Sequence, residues 1–324
     1  MRLLFMGTPR FAVPPLEALV KSGFDVAAVV TQPDRPVGRG LEIRPSAVKA
    51  LALREGIAVL QPPSLRAPDA VNLLRAVHPD LIVVVAFGQI LRRAVLDIPR
   101  LGCVNVHPSL LPKLRGASPI QAAIREGLPE TGVSIMLMDE RMDAGPILAQ
   151  VTAVISDDDT TASLGERLSR LGADLLVDTI PAWEAGRVAP RAQDENAATY
   201  CRPLVAADAT VDWSLPAAEI ARICRAQTPW PGCRTFWGTR QVRLLALGAR
   251  PDWTGPEAPG TVLALPSPTG RQPEVAIATG GGAIVVRQLQ LAGKRPLPSD
   301  EFVRGQPHFV GARLTEASGG SPAS

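Results

Sequence analysis

Six short apolar runs, with stretches of helical spacing between most of them, limit what this chain can fold into. The strongest is Leu81-Ile-Val-Val-Val-Ala86, with no polar residue in it. A strand wetted on one face alternates polar with apolar, whereas an unbroken run suits a strand covered on both faces. Residues 2–6, 26–30, 57–60, 104–106 and 133–138 complete the set. Helical candidates lie between them at 13–22, 47–55, 67–77 and 118–127. Strands alternating with helices predict an α/β fold with a doubly wound, Rossmann-like parallel sheet.

Such sheets bind ligands outside the carboxyl ends of their strands. The unusual sequences fall there: Gly7-Thr8-Pro9 after the first run, Thr31-Gln-Pro-Asp34-Arg35-Pro-Val-Gly38-Arg39-Gly40 after the second, and Phe87-Gly88-Gln89-Ile90-Leu91 after the fourth. Asn105-Val-His107 ends the fifth, and Asp139-Glu140-Arg141-Met142-Asp143-Ala-Gly145 follows the sixth. One crevice is expected to collect all five. No Gly-x-Gly-x-x-Gly follows the first strand and there is no Walker A loop, so neither NAD nor ATP is supported. Histidine occurs only at 78, 107 and 308, and no second His or Cys is spaced to join His107 and Asp143; no metal is expected.

Asn105, His107 and Asp143 form a coherent chemical set. An Asn amide donates to the oxyanion of a tetrahedral intermediate. A His moves a proton near neutral pH, and a neighbouring Asp orients it or favours its charged form. The set holds no activated nucleophile, so the chemistry implied is direct acyl transfer between two amines. Taken alone, the Asn-x-His triplet fits a capped turn with a satisfied histidine better than a site, and Asp143 fits a turn residue.

The longer stretches weigh against that bland interpretation. Asn105-Val-His107-Pro-Ser109-Leu110-Leu111-Pro112, then Arg115-Gly-Ala-Ser118-Pro119-Ile-Gln121, and Thr131-Gly-Val-Ser-Ile-Met-Leu-Met138-Asp139 with Asp143 and Gly145, resemble the signature of formyltransferases that use 10-formyltetrahydrofolate. The resemblance implies catalytic roles for Asn105, His107 and Asp143, with Asn105 and a protonated His107 stabilising the oxyanion. It implies a folate site on Phe87, Gly88, Gln89, Ile90, Leu91, Ser109, Leu110, Leu111, Pro112, Met138 and Asp139. Gly7-Thr-Pro-Arg-Phe-Ala12, the loop at 31–46, Val211-Asp-Trp-Ser214, Pro229-Trp-Pro-Gly232 and Ala292-Gly-Lys-Arg-Pro296 are similar to the branch whose acceptor is initiator methionyl-tRNA. In that branch the 31–46 loop meets the acceptor end, which implicates Arg35, Arg39 and Arg44. Leu41 and Glu42 stand here where the branch often carries a basic pair. The alternative is a formyltransferase acting on a nucleotide amino sugar or another small amine; a non-catalytic tRNA- or folate-binding protein is disfavoured by the intact Asn/His/Asp set.

At 324 residues the chain is long enough for two domains. The expected division is a catalytic domain over 1–188, a linker over 189–208, a C-terminal domain over 209–315 and a disordered tail over 316–324. A helix over 160–184 closes the first part. Short strands at 241–247, 260–264, 274–279 and 283–291, separated by Pro/Gly turns, predict a small barrel, which the resemblance sharpens to an OB-like one. Ser214 is the expected N-cap of the helix before it. Residues 1–189 hold 20 Lys+Arg against 20 Asp+Glu, and 190–324 hold 14 against 11, so the net positive charge lies in the C-terminal part. That is compatible with tRNA, and Arg202, Arg243, Lys294 and Arg295 are candidate contacts. No apolar run spans a bilayer, and four Cys without a pairing pattern predict reduced thiols. A cytoplasmic, monomeric enzyme without a membrane partner is expected.

Overall fold

All six apolar runs become strands of one seven-stranded sheet in the computed structural model, which describes residues 1–37, 42–266 and 273–317. The chain divides into two units. The first holds 1–120, 129–156 and 163–202, and the second holds 121–128, 157–162 and the described residues from 203 onward.

In chain order the first unit's strands are β1 (Arg2–Gly7), β2 (Asp25–Val30), β3 (Arg35–Val37), β4 (Glu42–Arg44), β5 (Ala58–Leu60), β6 (Leu81–Val85), β7 (Cys103–His107), β8 (Arg115–Gly116), β9 (Glu130–Leu137), β10 (Ile147–Val154) and β11 (Tyr200–Cys201). Helices α1 (Val13–Lys21), α2 (Ala47–Arg54), α3 (Pro68–Arg75), α4 (Arg93–Leu96), α5 (Pro119–Arg125) and α6 (Thr161–Glu184) intervene in the chain, α5 falling mostly in the second unit. The main sheet runs β10-β9-β7-β6-β1-β2-β5. The five strands from β7 to β5 are parallel. Leu81, Ile82, Val83 and Val85 of β6 and Leu3 to Met6 of β1 are fully buried. Each such Leu, Ile or Val contributes about 1.5–3 kcal/mol by leaving water.

The sheet departs from the all-parallel expectation at one edge. β9 pairs antiparallel with β7 in the register Val104–Leu137 and Asn105–Met136, and β10, a strand the sequence reading lacked, pairs antiparallel with β9. An apolar run has no direction, so the reversal was invisible in it. The flanks of the 31–46 loop form a hairpin, with Arg35 paired to Arg44 and Val37 to Glu42. Residues 38–41, Arg39 and Leu41 among them, lie outside the described residues.

The second unit contains α7 (Ala217–Ala226), β12 (Cys233–Trp237), β13 (Arg240–Arg250), β14 (Val262–Leu265), β15 (Glu274–Ala278), β16 (Ala283–Leu291), β17 (Leu297–Pro298), α8 (Ser299–Gly305) and β18 (Leu314–Thr315). Its antiparallel sheet runs β14-β15-β16-β13-β12-β18. The ends of that path meet: Thr261 bridges Arg313, the Leu314 amide donates to the Gly260 carbonyl at 2.8 Å, and the Val262 amide donates to the Ala312 carbonyl at 2.8 Å. The sheet therefore closes into a barrel. Gly260 allows the closure, because at its φ of +88° a Cβ would stand 2.5 Å from the Leu314 carbonyl oxygen. Trp213, Ile220, Val242, Ile284, Val286, Leu289 and Phe309 fill the core. Two expectations are corrected. Pro216, not Ser214, precedes α7, and the Ser214 hydroxyl instead donates to Asp212 Oδ1 at 2.6 Å. Cys224 at the end of α7 and Cys233 at the start of β12 form a disulfide across a Cα–Cα distance of 5.5 Å, because the turn between them folds the strand back onto the helix. Cys103 and Cys201 are not disulfide-bonded among the described residues.

Candidate active site

β7 separates polar from apolar side chains by its pleat. Val104 and Val106 point to one face and Asn105 and His107 to the other. Behind Val106 lies α6, which presents Gly172: a Cβ there would come within 2.8 Å of Val106 Cγ1 and 3.2 Å of Val133 Cγ1. The helix thus sits directly against the back of the strand that carries the pair.

Asp143 arrives by a route the sequence did not show. It lies in the loop joining the antiparallel strands β9 and β10, not beyond the carboxyl end of a parallel strand as expected. Its carboxylate accepts from the Gly116 amide at 2.8 Å and from Asn105 Nδ2 at 3.5 Å, and stands 3.7 Å from His107 Nδ1. Its φ is +49°, a conformation side-chain-bearing residues seldom hold without support.

The imidazole is almost wholly buried, 4% exposed. Its Nε2 lies 3.0 Å from the Leu114 carbonyl oxygen. A carbonyl only accepts, so Nε2 carries the hydrogen and donates. Nδ1 faces Asp143, as a proton acceptor in the neutral form and as a second donor in the charged form. Burial pushes His107 below its ordinary value, partly offset by the Asp143 carboxylate and the Leu114 carbonyl. Burial thus works against the charged imidazole, while Asp143 and the Leu114 carbonyl work for it. The arrangement suits a base that takes a proton at Nδ1 and has that charge stabilised by Asp143.

The residues expected at the folate site divide by environment. Phe87 and Leu91 are core residues, and the Phe87 carbonyl accepts from Thr8 Oγ1 at 3.1 Å and Gln32 Nε2 at 3.3 Å. Gly88 takes φ +85°. Gln89 Oε1 accepts from the Leu65 amide at 2.9 Å, while its buried Nε2 has no partner among the described residues. Ile90 is 73% exposed and Met142 64%. Ser109 is buried with its hydroxyl donating to the Lys113 carbonyl at 2.6 Å, and the buried Leu111 donates its amide to Ser134 Oγ at 3.1 Å. Leu110 and Pro112 remain partly accessible. Met138 and Asp139 line a cleft of about 520 Å³ with Leu96, Cys103, Leu137 and Trp183, and none of the three catalytic candidates lines it.

The sequence reading missed a group of residues that support these loops. Arg115, 1% exposed, donates to Gln193 Oε1 through Nε at 3.1 Å and Nη2 at 2.9 Å, to Glu195 Oε2 at 2.9 Å and to the Tyr200 hydroxyl at 3.1 Å. Residues 191–201, expected as linker, pair with the site instead: Arg191 bridges Ile147, and β11 runs parallel to β8. Only the placement of a lone tyrosine, Tyr200, beside these polar residues hinted at this.

Of the tRNA candidates, Arg44 is exposed on β4, while for Arg35 the backbone position alone is described. Arg202 follows β11. Arg243 on β13 stands opposite Arg234 on β12, a juxtaposition of like charges that an anionic partner would relieve. Lys294 is exposed in the turn after β16, and the exposed Arg295 pairs with Glu301 at 2.8 Å. Among the described residues no helix is long and apolar enough to cross a membrane, and no three His, Cys, Asp or Glu gather as metal ligands would.

The profile of the formyl transferase family matches residues 1–180, and that of the formyl transferase C-terminal domain matches 203–307. The chain is 46% identical to a methionyl-tRNA formyltransferase of Roseiflexus sp. (strain RS-1), over 98% of this chain and 96% of that one. It is 45% identical to a methionyl-tRNA formyltransferase of Chloroflexus aurantiacus, over 98% of this chain and all of that one. Among solved structures, HypX from Aquifex aeolicus in complex with tetrahydrofolic acid shares the fold at TM-score 0.64 and 20% identity, covering 95% of this chain and 47% of that one. The sugar 3N-formyl transferase WlaRD does so at TM-score 0.63 and 16% identity, covering 91% and 99%.

Proposed function

The chain belongs to the methionyl-tRNA formyltransferase family, and from that premise we propose which of its residues move the formyl group. The enzyme transfers a formyl group to the α-amine of initiator methionyl-tRNA, and its family works with folate derivatives. The donor in this reading is 10-formyltetrahydrofolate. The methionyl amine attacks the formyl carbon, forming the new C–N bond and a tetrahedral oxyanion. Asn105 Nδ2 donates to that oxyanion. His107 Nδ1 takes the proton released by the attacking amine, Asp143 stabilises the imidazolium so formed, and the proton passes to N10 as the C–N10 bond breaks. Neutral His107 is the form this sequence of steps needs at its start.

The folate would lie along Phe87–Leu91, Ser109–Pro112, Met138 and Asp139. Support comes from the exposed apolar side chains of Ile90 and Met142 and from the unpartnered Gln89 Nε2, a donor that a pterin edge could use. Arg35, Arg39, Arg44, Arg202, Arg243, Lys294 and Arg295 are assigned to tRNA phosphates. The enzyme acts in the cytoplasm as a monomer, with a catalytic domain that extends beyond the expected 1–188 to take in residues 191–201, and a tRNA-binding domain over 209–315.

The observation that carries the assignment of residues is the meeting of Asn105, His107 and Asp143 within 3.7 Å, from segments 36 residues or more apart in a chain of this family. The test incubates the protein with 10-formyltetrahydrofolate and either charged initiator tRNA or a nucleotide amino sugar. Formylation of the tRNA alone is expected. Formylation of the sugar but not the tRNA would overturn the acceptor, and full turnover by His107→Ala would overturn the residue roles.

A further inference from the structure

We propose that Gln193, in the segment after α6, is a positioning residue that holds Asp143 in its working conformation; this rests on the catalytic role assigned to Asp143 above. The observation is a fully engaged side-chain amide. Gln193 Nε2 donates to the Asp143 carbonyl at 2.8 Å and to the Gly145 carbonyl at 2.7 Å. Gln193 Oε1 accepts twice from the Arg115 guanidinium. A primary amide offers two N–H donors and two lone pairs, and here all four are used. Its orientation is fixed, because guanidinium only donates and carbonyls only accept, so a flipped amide would set donor against donor and acceptor against acceptor.

The grip acts at a place that needs one. Asp143 sits at φ +49°, a region that Asp tolerates better than most side chains but at a cost, so bonds that hold it there matter. From the front, the Gly116 amide holds the carboxylate. From behind, Gln193 holds the backbone. Arg115 links the two, since it is the neighbour of Gly116 in β8 and the anchor of Gln193. Thr199 adds to the clamp: its carbonyl accepts the Arg115 amide at 2.8 Å and its hydroxyl accepts the Leu114 amide at 2.9 Å. The segment therefore ties the loop carrying Asp143 to the loop that fixes His107 through the Leu114 carbonyl. Without the Gln193 donors the carboxylate is free to drift from the imidazole and from the Asn105 amide.

The charged groups near the pair limit what a pH profile can report. Asp143 faces His107 from the β9–β10 loop. Arg115 is engaged by Glu195, and Arg141 by Asp139 and Glu195. Asp143 favours the protonated imidazole, so its retreat moves the acid limb of kcat/KM to lower pH. A merely structural defect would lower the amount of active enzyme and leave that limb in place.

The experiment measures kcat, both KM values, the pH profile of kcat/KM and the melting temperature for the wild type and four variants. Gln193→Ala is expected to lose about 10- to 100-fold in kcat, the scale on which misplacing a reacting group by an ångström acts, with KM changing far less. Gln193→Glu keeps the volume and the acceptors for Arg115 but cannot donate to the two carbonyls, so it is expected to lose as much and to show the same shift of the acid limb. It also keeps the test decisive if Gln193→Ala does not fold. Asp194→Ala removes only the bond to the Asn196 amide in the same segment and is expected to behave as wild type. Wild-type kcat in Gln193→Glu, a loss with the acid limb unmoved, or an equal loss in Asp194→Ala would each overturn the inference. Asp143→Asn separates the two levels: if it turns over normally the catalytic reading fails, and if it is inactive while Gln193→Glu is normal, the positioning role alone fails.

Discussion

Gly145→Ala tests whether the loop carrying Asp143 can yield at all. A Cβ built at Gly145 falls on the Leu137 carbonyl oxygen, 3.0 Å from the Leu137 carbonyl carbon and 3.4 Å from the Asp139 amide nitrogen. These are backbone atoms, so no rotamer change relieves the overlap. Carbon–carbon contacts are comfortable at about 3.5–4.0 Å, which requires the loop to open by roughly 0.5–1 Å against the carbon and more against the oxygen. The Leu137 amide to Pro146 carbonyl bond, 2.9 Å, and the Gln193 bond to the Gly145 carbonyl resist that opening. Overpacking of this kind costs about 1–3 kcal/mol of stability. Because Asp143 is two residues away, a shift near 1 Å is expected to lower kcat by about 100-fold. In barrier terms that is about 2.7 kcal/mol. Single-turnover formylation at saturating substrate reads the effect, with calorimetry alongside. Gly23→Ala is the control: at φ +77° with nothing within 4 Å, it should cost about 1–2 kcal/mol of backbone strain and leave turnover intact. Wild-type turnover in Gly145→Ala would show that Asp143 need not be held where it is, and would refute the reasoning.

Asn105→Ala should lower kcat by about 10²–10³-fold, as loss of one oxyanion donor does, with little change in melting temperature because its 3.5 Å contact with Asp143 is weak. His107 has a folded-state value below its unfolded one, so the unfolded chain binds more protons and stability is lost as pH falls below about 6.5, by at most about 1.4 kcal/mol per pH unit; His107→Gln should flatten that part of a melting-temperature profile. Trp213→Ala removes a ring 4% exposed whose Nε1 donates to Thr235 Oγ1 at 3.0 Å, and should destabilise the barrel by about 3–5 kcal/mol in denaturant titrations. Arg243→Ala should weaken initiator-tRNA binding alike for all acceptor sequences and reduce the slope of log affinity against log salt by about 1; an unchanged slope would remove Arg243 from the interface.

What the sequence revealed and what it concealed follow from range and direction. Strands such as Leu81–Val85 were legible because burial on both faces leaves a run that needs no partner to be recognised. β10, Ile147–Val154, was missed: Gln150 and Thr152 interrupt its apolar residues, as suits an edge strand that is only half buried. Asn105 and His107 were legible together because a pleat sends residues two apart to one face. Asp143 was legible as a motif position, but neither its φ nor its entry from an antiparallel hairpin is written in an apolar pattern. Arg115 and Gln193 lie 78 residues apart, and the polar run around Gln193 has the composition of a linker. Periodicity reports burial of apolar side chains; it is silent about a buried guanidinium satisfied by an amide, a carboxylate and a phenol. The reactive groups of this site therefore lie on short local motifs, whereas the hydrogen bonds that fix their geometry cross long sequence distances. A substitution at Gln193, innocuous by composition, should consequently alter catalysis more than many changes in the apolar core, where volume-conserving replacements are tolerated.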